Sequence, residues 1–334
     1  MKKLILFLTI TLLIAVFITP IHSQEMKKVG QTGFQFLRVD VGARATAMGG
    51  AFMMVGDDAE ALFYNPAGIA YMDNSIDLFV NKTDWLVDIS YNCGGLVVNL
   101  GNWGSVGASV IYADYGGNII GTRRDPGELG YVETTEPGES LDVGAYAVGL
   151  SYARRLTNKF SIGGQVKYAY QHLGENLTNT GDISQNECSG MAYDFGTIFY
   201  PGFKSLRLGM SIRNFSPEFK YVEETFELPL TFTLGFAMDV LDLMSEEHSN
   251  SLLISVDATH PRDYTERINV GGEFTFMDII ALRVGYKYNY DEEGLTGGAG
   301  LKYSLGRLNV NLGYAYSQMD VFDSVNRISI GLSY

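Results

Sequence analysis

Leu308-Asn309-Val310-Asn311-Leu312-Gly313-Tyr314-Ala315-Tyr316-Ser317 sets an apolar residue at every second position and a small or polar one between. Ile328-Ser329-Ile330-Gly331-Leu332-Ser333-Tyr334 repeats the pattern to the last residue. Successive side chains of a strand point to opposite faces, so this period of two describes strands with one apolar face and one small, polar face. A soluble sandwich alternates in the same way, and alternation alone leaves the class open. The polar face, rich in small residues with scattered charge, helps to decide for a membrane barrel, and so does the apolar face. The latter ends repeatedly in rings, as in Tyr286, Tyr288 and Tyr290, in Tyr168 and Tyr170, and in Phe274 and Phe276. Such rings form the girdle where lipid meets water.

From Ile76 onward the pattern recurs between clusters of Gly, Asn and Asp. It predicts fourteen strands, at 76–83, 86–99, 105–115, 143–154, 160–172, 190–200, 205–214, 228–240, 251–259, 266–276, 281–290, 295–304, 307–317 and 327–334. With the first strand running outward, the even-numbered connections face the periplasm, and all are tight except Leu241 to Asn250. The opposite set holds the long stretches 116–142, 173–189 and 215–227. Short periplasmic turns and longer outer loops are the mark of such barrels. The fold class expected is all-β: a transmembrane antiparallel up-and-down β-barrel of fourteen strands with a short N-terminal helical plug.

Lys2 and Lys3 precede an apolar run from Leu4 to Phe17, and the small Ser23 follows; together they read as a signal peptide over 1–23, with the mature chain starting at Gln24. That run is shorter than the roughly 20 residues of a spanning helix. The expected division is then 24–74 for an N-terminal segment with the plug and 75–334 for the barrel. The formal net charge of −14 excludes a nucleic-acid partner, which needs a basic footprint. Much of the acid lies in Arg124 to Asp142 and Glu218 to Glu227, read as solvated loops. Cys93, placed mid-strand on the lipid side, and Cys188, placed in a loop, are expected to be free thiols. His172, His248 and His260 lie far apart without paired-ligand spacing, and no GxSxG occurs. Gly297-Gly298-Ala299-Gly300 sits in an alternating strand, where glycines mark close backbone approach. No enzyme, metal or cofactor is expected.

Between Gly33 and Met72 the alternation stops. Small residues take over in Gly42-Ala43-Arg44-Ala45-Thr46-Ala47-Met48-Gly49-Gly50-Ala51, then Asp57-Asp58-Ala59-Glu60-Ala61, then Asn65-Pro66-Ala67-Gly68-Ile69-Ala70. Asp57 or Asp58 is a natural cap for a short helix through Phe63, and Asn65 followed by Pro66 starts another. Phe34, Phe36, Leu37, Met48, Phe52, Phe63 and Tyr64 are too many apolar groups for a disordered leader. On the face turned to the lumen stand Arg207, Arg213, Asp257, Glu273, Arg283, Lys287 and Lys302, read as a structural ion network because unpaired buried charge is costly. Glu273 is expected opposite Arg283, and Arg283 in turn opposite Lys302.

The stretch from Gly42 to Ala70 resembles the N-terminal hatch of the FadL superfamily of outer-membrane transport proteins, and more closely the PorV/PorQ family within it. Gly33-Phe34-Gln35-Phe36-Leu37 is similar to that family too. The end of the chain, Ile328, Ile330, Leu332 and Tyr334, resembles the signal by which the barrel-insertion machinery recognises its clients. The resemblance implies a fourteen-stranded barrel of the bacterial outer membrane with the hatch folded inside or below it. FadL-like members move long-chain fatty acids or other hydrophobic molecules. PorV and PorQ relatives serve type IX secretion, PorV receiving secreted cargo and passing it to a surface-attachment enzyme. The chain is shorter than the fatty-acid channels and has smaller outer loops for a capture groove. The partners implied are outer-membrane lipid, the insertion machinery, and secreted cargo or secretion-system proteins. The alternative is a passive channel whose partner is a hydrophobic small molecule.

Overall fold

The computed structural model describes residues 30–117, 119–120, 122–124, 131–133, 141–177, 183–221, 224–244 and 250–334. The expected signal segment 1–23, residues 24–29 and most of the acidic stretch 124–142 lie outside the described residues. Fourteen strands close into one barrel: β1 (Ile76–Asp84), β2 (Ser90–Asn99), β3 (Ser105–Asp114), β4 (Val143–Thr157), β5 (Phe160–Leu177), β6 (Ile183–Phe199), β7 (Arg207–Phe215), β8 (Thr231–Asp239), β9 (Asn250–Pro261), β10 (Arg267–Phe276), β11 (Ile280–Tyr288), β12 (Glu293–Leu305), β13 (Leu308–Met319) and β14 (Val325–Ser333). Each pairs antiparallel with its neighbours in sequence. β1 returns to β14 in a register running from Asp77 opposite Ser333 to Asp84 opposite Asn326. Closure leaves no edge strand, so every strand finds its backbone partners in the wall, which is what hydrocarbon surroundings demand.

The expected up-and-down barrel is borne out, and its two ends differ. β4 and β5 are separated by two residues, as are β12 and β13, at the turn end. The opposite, loop end carries two small hairpins, Thr122–Arg124 with Tyr131–Glu133 and Phe219–Lys220 with Thr225–Phe226. The second hairpin corrects the reading of 218–227 as a solvated loop. Glu218 and Glu224 are exposed, but Phe219 is buried, and Phe219 and Phe226 pack on Phe34 with ring centroids 5.3 and 6.0 Å apart.

Two further readings are corrected. Cys93 is buried on the lumen face of β2, not on the lipid side, and Cys188 lies within β6 rather than in a loop; both thiols are free. The alternation misled at Cys93 because the inward positions around it, Tyr91 and Val97, are themselves apolar and buried. The lumen is packed there rather than wet.

Residues 33–72 do the packing. This inner segment starts at the loop end, where the Gly33 N–H donates to the Glu227 carbonyl at 3.1 Å. It ends at the turn end, where Asn99 Nδ2 donates to the Met72 carbonyl at 2.8 Å. Between them it folds into one short helix, α1 (Ala43–Ala47), and 3-10 turns at Gln35–Arg38, Ala59–Phe63 and Pro66–Tyr71. Asp58 caps the second 3-10 turn by accepting from the Glu60 N–H, and Asn65 caps the third by accepting from the Ala67 N–H with Pro66 following. Phe34, Phe36, Met48, Phe52, Met54, Leu62 and Ile69 are fully buried.

The wall makes room for the segment with glycine. A methyl group added at Gly107 on β3 would meet Leu62, at Gly163 on β5 Ala67, at Gly209 on β7 Met54, at Gly271 and Gly285 on β10 and β11 Met48, and at Gly298 on β12 Ala47. Gly271 and Gly285 are directly paired, so they form one crease under Met48. Sequence neighbours point the other way and are free of the segment. Gly164 has no such atom nearer than 3.7 Å, Gly272 none nearer than 3.5 Å and Gly297 none nearer than 3.6 Å.

Candidate functional site

The inner segment is fixed to one side of the wall by charge. Arg44 of α1 donates from Nε to Glu273 Oε2 at 3.0 Å and from Nη2 to Oε1 at 2.7 Å. Arg283, opposite on β11, donates from Nε to Glu273 Oε2 at 2.5 Å. Two inward positions nearer the loop end, Lys287 sits 2.6 Å from Asp40 and 2.8 Å from Glu293. Burial opposes ionisation of Asp40, but the adjacent Lys287 ammonium outweighs it and holds the carboxyl below its usual value. Asp257 Oδ2 accepts from the Met53 N–H at 3.0 Å, and Arg38 pairs with Asp263. On the far side the holding is neutral or backbone-directed: Arg213 Nη1 to the Phe63 carbonyl at 2.8 Å, and Asn65 Nδ2 to the Thr197 carbonyl at 3.3 Å.

Glu60 differs from these paired acids. It is buried, and Oε1 accepts from the Ala45 N–H at 3.0 Å. Burial, with the nearby Asp58 charge adding to it, pushes its carboxyl up to about 8. Gly42 lies tight against that side chain with φ of +88°, so any larger residue there is excluded twice, by contact and by backbone conformation.

The segment lies between a cavity at the loop end and one at the turn end. The one at the loop end, about 420 Å3, is floored by Asp40, Gly50, Met53 and Tyr64 and walled by Arg213, Asp257, Arg267, Asn269 and Lys287. Trp85, Tyr264 and Tyr290 form its rim. The one at the turn end, about 290 Å3, is acidic and is lined by Arg44, Asp57, Asp58, Glu60, Asp77, Arg283 and Lys302. Among the described residues, no group of three His, Cys, Asp or Glu side chains is placed to hold a metal.

Comparison with known proteins places this geometry. Residues 22–259 match the family described as type IX secretion system protein PorV. The chain belongs to the PorV family. A search of curated proteins returned no match. Among solved structures, a Pseudomonas aeruginosa FadL homologue shares 14% identity over 87% of this chain and 96% of its own, with a TM-score of 0.53. The Pseudomonas putida toluene transporter TodX shares 15% identity over 87% and 96%, with a TM-score of 0.51. CymD, a monoaromatic hydrocarbon channel, shares 13% over 88% and 97%, with a TM-score of 0.54. These likenesses establish a FadL-like fold for this PorV-family chain.

The structure brings Glu273 and Arg283 together and places Asp257 and Lys287 in the lining of one cavity, on either side of Asn269. It overturns the expected partner of Arg283 on β12, which is Gly298 and not Lys302. The β11–β12 connection is tighter than its run of Asp291, Glu292 and Glu293 suggests. The register therefore moves by four residues, an even number, which keeps Lys302 on the lumen side but carries it into the turn-end cavity. The second cation at the Glu273–Arg283 pair is Arg44 of the inner segment, on the Glu273 side, in place of Lys302 on the far side of Arg283. At the C-terminus, Ile328, Ile330 and Tyr334 are exposed on the outer face, with Leu332 half-buried in line with them.

Several residues of this PorV-family site escaped the sequence reading. Asp40 and the fully buried Arg327, whose Nε donates to the Asp40 carbonyl at 3.3 Å, carry no motif, and Glu60 was read only as part of the Asp57 to Ala61 stretch. The inward glycines do carry a signal: in β10, β11 and β12 glycine falls on the face where neighbouring positions hold charge.

Proposed function

We propose that this PorV-family chain works in the bacterial outer membrane as a closed barrel that presents its loop end to protein partners of type IX secretion. Residues 1–23 act as a signal peptide removed after Ser23, and residues 33–72 act as a plug that closes the lumen. The observation that carries the reading is the fixing of the inner segment from both sides, by Arg44 and Asp40 on one wall and by the glycine contacts all round. A barrel filled in this way suits a docking scaffold better than an open conduit. A hydrocarbon channel is disfavoured by the charge in both cavities, since desolvating charge against an apolar molecule is costly. The proposal assigns the chain no catalytic step.

The test is cross-linking of the tagged chain in intact cells, followed by identification of what co-purifies from the outer membrane. Recovery of secreted proteins and type IX components supports the reading. Recovery of neither, together with loss of uptake of hydrophobic compounds in a deletion strain, replaces it with the channel alternative.

A further inference from the structure

We propose that the loop-end cavity is a binding site for a small, hydroxylated organic carboxylate, of the chemical class of the sugar acids. The inference goes beyond the secretion reading and does not depend on it.

The site rests on a row of hydroxyls that ends in an arginine. Ser211 on β7 pairs with Thr233 on β8, Thr233 with Thr259 on β9, and Thr259 with Arg267 on β10. All four side chains point inward, are nine-tenths or more buried, and line the cavity. Neighbouring strands lie roughly 4.8 Å apart, so the row spans about 14 Å of wall. Thr233 and Thr259 hydroxyls face each other at 3.4 Å, while Ser211 Oγ has no partner. One pleat nearer the loop end, Arg213 overhangs the Ser211 end of the row.

Both arginines lack a carboxylate. The Arg267 guanidinium lies between the faces of Tyr264 and Tyr290, 4.1 and 4.2 Å from their centroids, and its Nε has no hydrogen-bond partner. Stacking between rings fixes the plane of a guanidinium and leaves its edge for a planar, two-oxygen acceptor. Arg213 lies over the Tyr64 ring and donates to a backbone carbonyl. Three acids beside the cavity are held by cations, and Asp257 accepts from the Met53 N–H through one oxygen. Lys287 is shared by Asp40 and Glu293, and Arg38 holds Asp263. Among the described residues no carboxylate lies within ion-pair distance of Arg213 or Arg267.

A buried guanidinium with no carboxylate in contact with it favours an anion at its free edge, and the hydroxyl row selects which kind. An alkyl chain laid on Ser211, Thr233 and Thr259 would strip water from three hydroxyls and return no hydrogen bond. A polyhydroxylated chain replaces those bonds one for one. One pleat deeper, the paired Asn269 and Asp257 present an amide oxygen and a carboxyl oxygen without partners, which call for hydroxyl donors and not for a second anionic group. A sugar acid supplies a carboxylate for Arg267 and hydroxyls for the rest, and at about 420 Å3 the cavity falls in the usual range for a small ligand.

The experiment is calorimetric titration of the purified, detergent-solubilised full barrel with three probes: glucuronate, glucose and decanoate. Glucuronate is expected to bind saturably and at least about tenfold more tightly than either of the others, the effect of one charged hydrogen bond. Arg267→Gln should weaken glucuronate about tenfold or more, and Thr233→Val, which keeps the charge and the shape, should weaken glucuronate but not decanoate. Unchanged thermal melting of both variants shows that the barrel is intact. The proposal is overturned if decanoate or glucose binds as tightly as glucuronate, if Arg267→Gln leaves the affinity of a folded barrel unchanged, or if glucuronate does not bind in the millimolar range.

Discussion

Arg44 of the inner segment and Glu273 of β10 meet in a two-pronged ion pair, with N–O distances of 3.0 and 2.7 Å, and the same carboxylate also receives Arg283 of the wall. One acid thus compensates two guanidiniums, one on each body. Glu273→Gln removes the charge and keeps the shape, leaving Arg283 uncompensated and Arg44 with only the longer contacts to Asp57 and Asp58 at 3.7 and 3.9 Å. Breaking a buried pair from one side costs about 3–5 kcal/mol. Amide hydrogen exchange in α1 should accelerate accordingly, while the strands of the wall keep their protection. Unchanged exchange in Ala43–Ala47 would show that the pair does not hold the segment.

Adjacent glycines provide an internally controlled pair. Gly163 faces Pro66 and Ala67 of the inner segment, whereas Gly164 faces outward with no such atom nearer than 3.7 Å. Gly163→Val should displace the third 3-10 turn or strain it by about 1–3 kcal/mol, as overpacking does. Gly164→Val should leave the segment in place. Proteolysis of the segment in folded barrels distinguishes them, and equal susceptibility of the two variants would remove the glycine argument.

Those glycines also explain where the sequence was legible. Strand count and direction follow from the alternation of residues such as Leu308 to Ser317, because lipid on the outside imposes an apolar residue at every second position. The register of β10 with β11 follows because Met277 and Asp278 make a tight turn with left-handed backbone, leaving little freedom in the pairing. The side taken by Cys93 does not follow, because the inward face is packed against Leu62 and its neighbours and so is not uniformly polar. Nor does the β11–β12 register, since an acidic run of Asp291 to Glu293 reads as loop while Glu293 in fact begins β12 and pairs with Lys287. The third dimension supplies what periodicity cannot. The partners of Arg44 and Asp40 lie more than two hundred residues away along the chain.

Glu60 predicts a pH dependence with a definite sign. Its folded value of about 8 lies above the ordinary 4.5, so the fold favours the protonated acid. The resulting destabilisation is absent below pH 4.5, grows as pH rises, and is complete above about 8. Hydrogen exchange at Ala45, whose N–H the carboxyl accepts, should therefore accelerate across that window beyond the intrinsic rise with pH. In Glu60→Gln the excess should vanish; an excess that persists in this variant would assign the effect to another group.

The two ends of the barrel should face opposite sides of the outer membrane. Met244 at the turn end and Val321 at the loop end are both well exposed. With Cys93 and Cys188 changed to Ser, Val321→Cys should react with an impermeant thiol reagent on intact cells, and Met244→Cys only after the cells are opened. The reverse pattern would invert the topology.

The central claim is that residues 33–72 close the lumen, and conductance across a planar bilayer tests it most directly. The intact barrel should show little or no ion current, because the segment separates the loop-end cavity from the turn-end cavity. Deletion of residues 33–72 should join the two into a water-filled channel and give discrete openings. A deleted barrel that inserts as a folded, heat-modifiable species yet conducts no more than the intact chain would contradict the account.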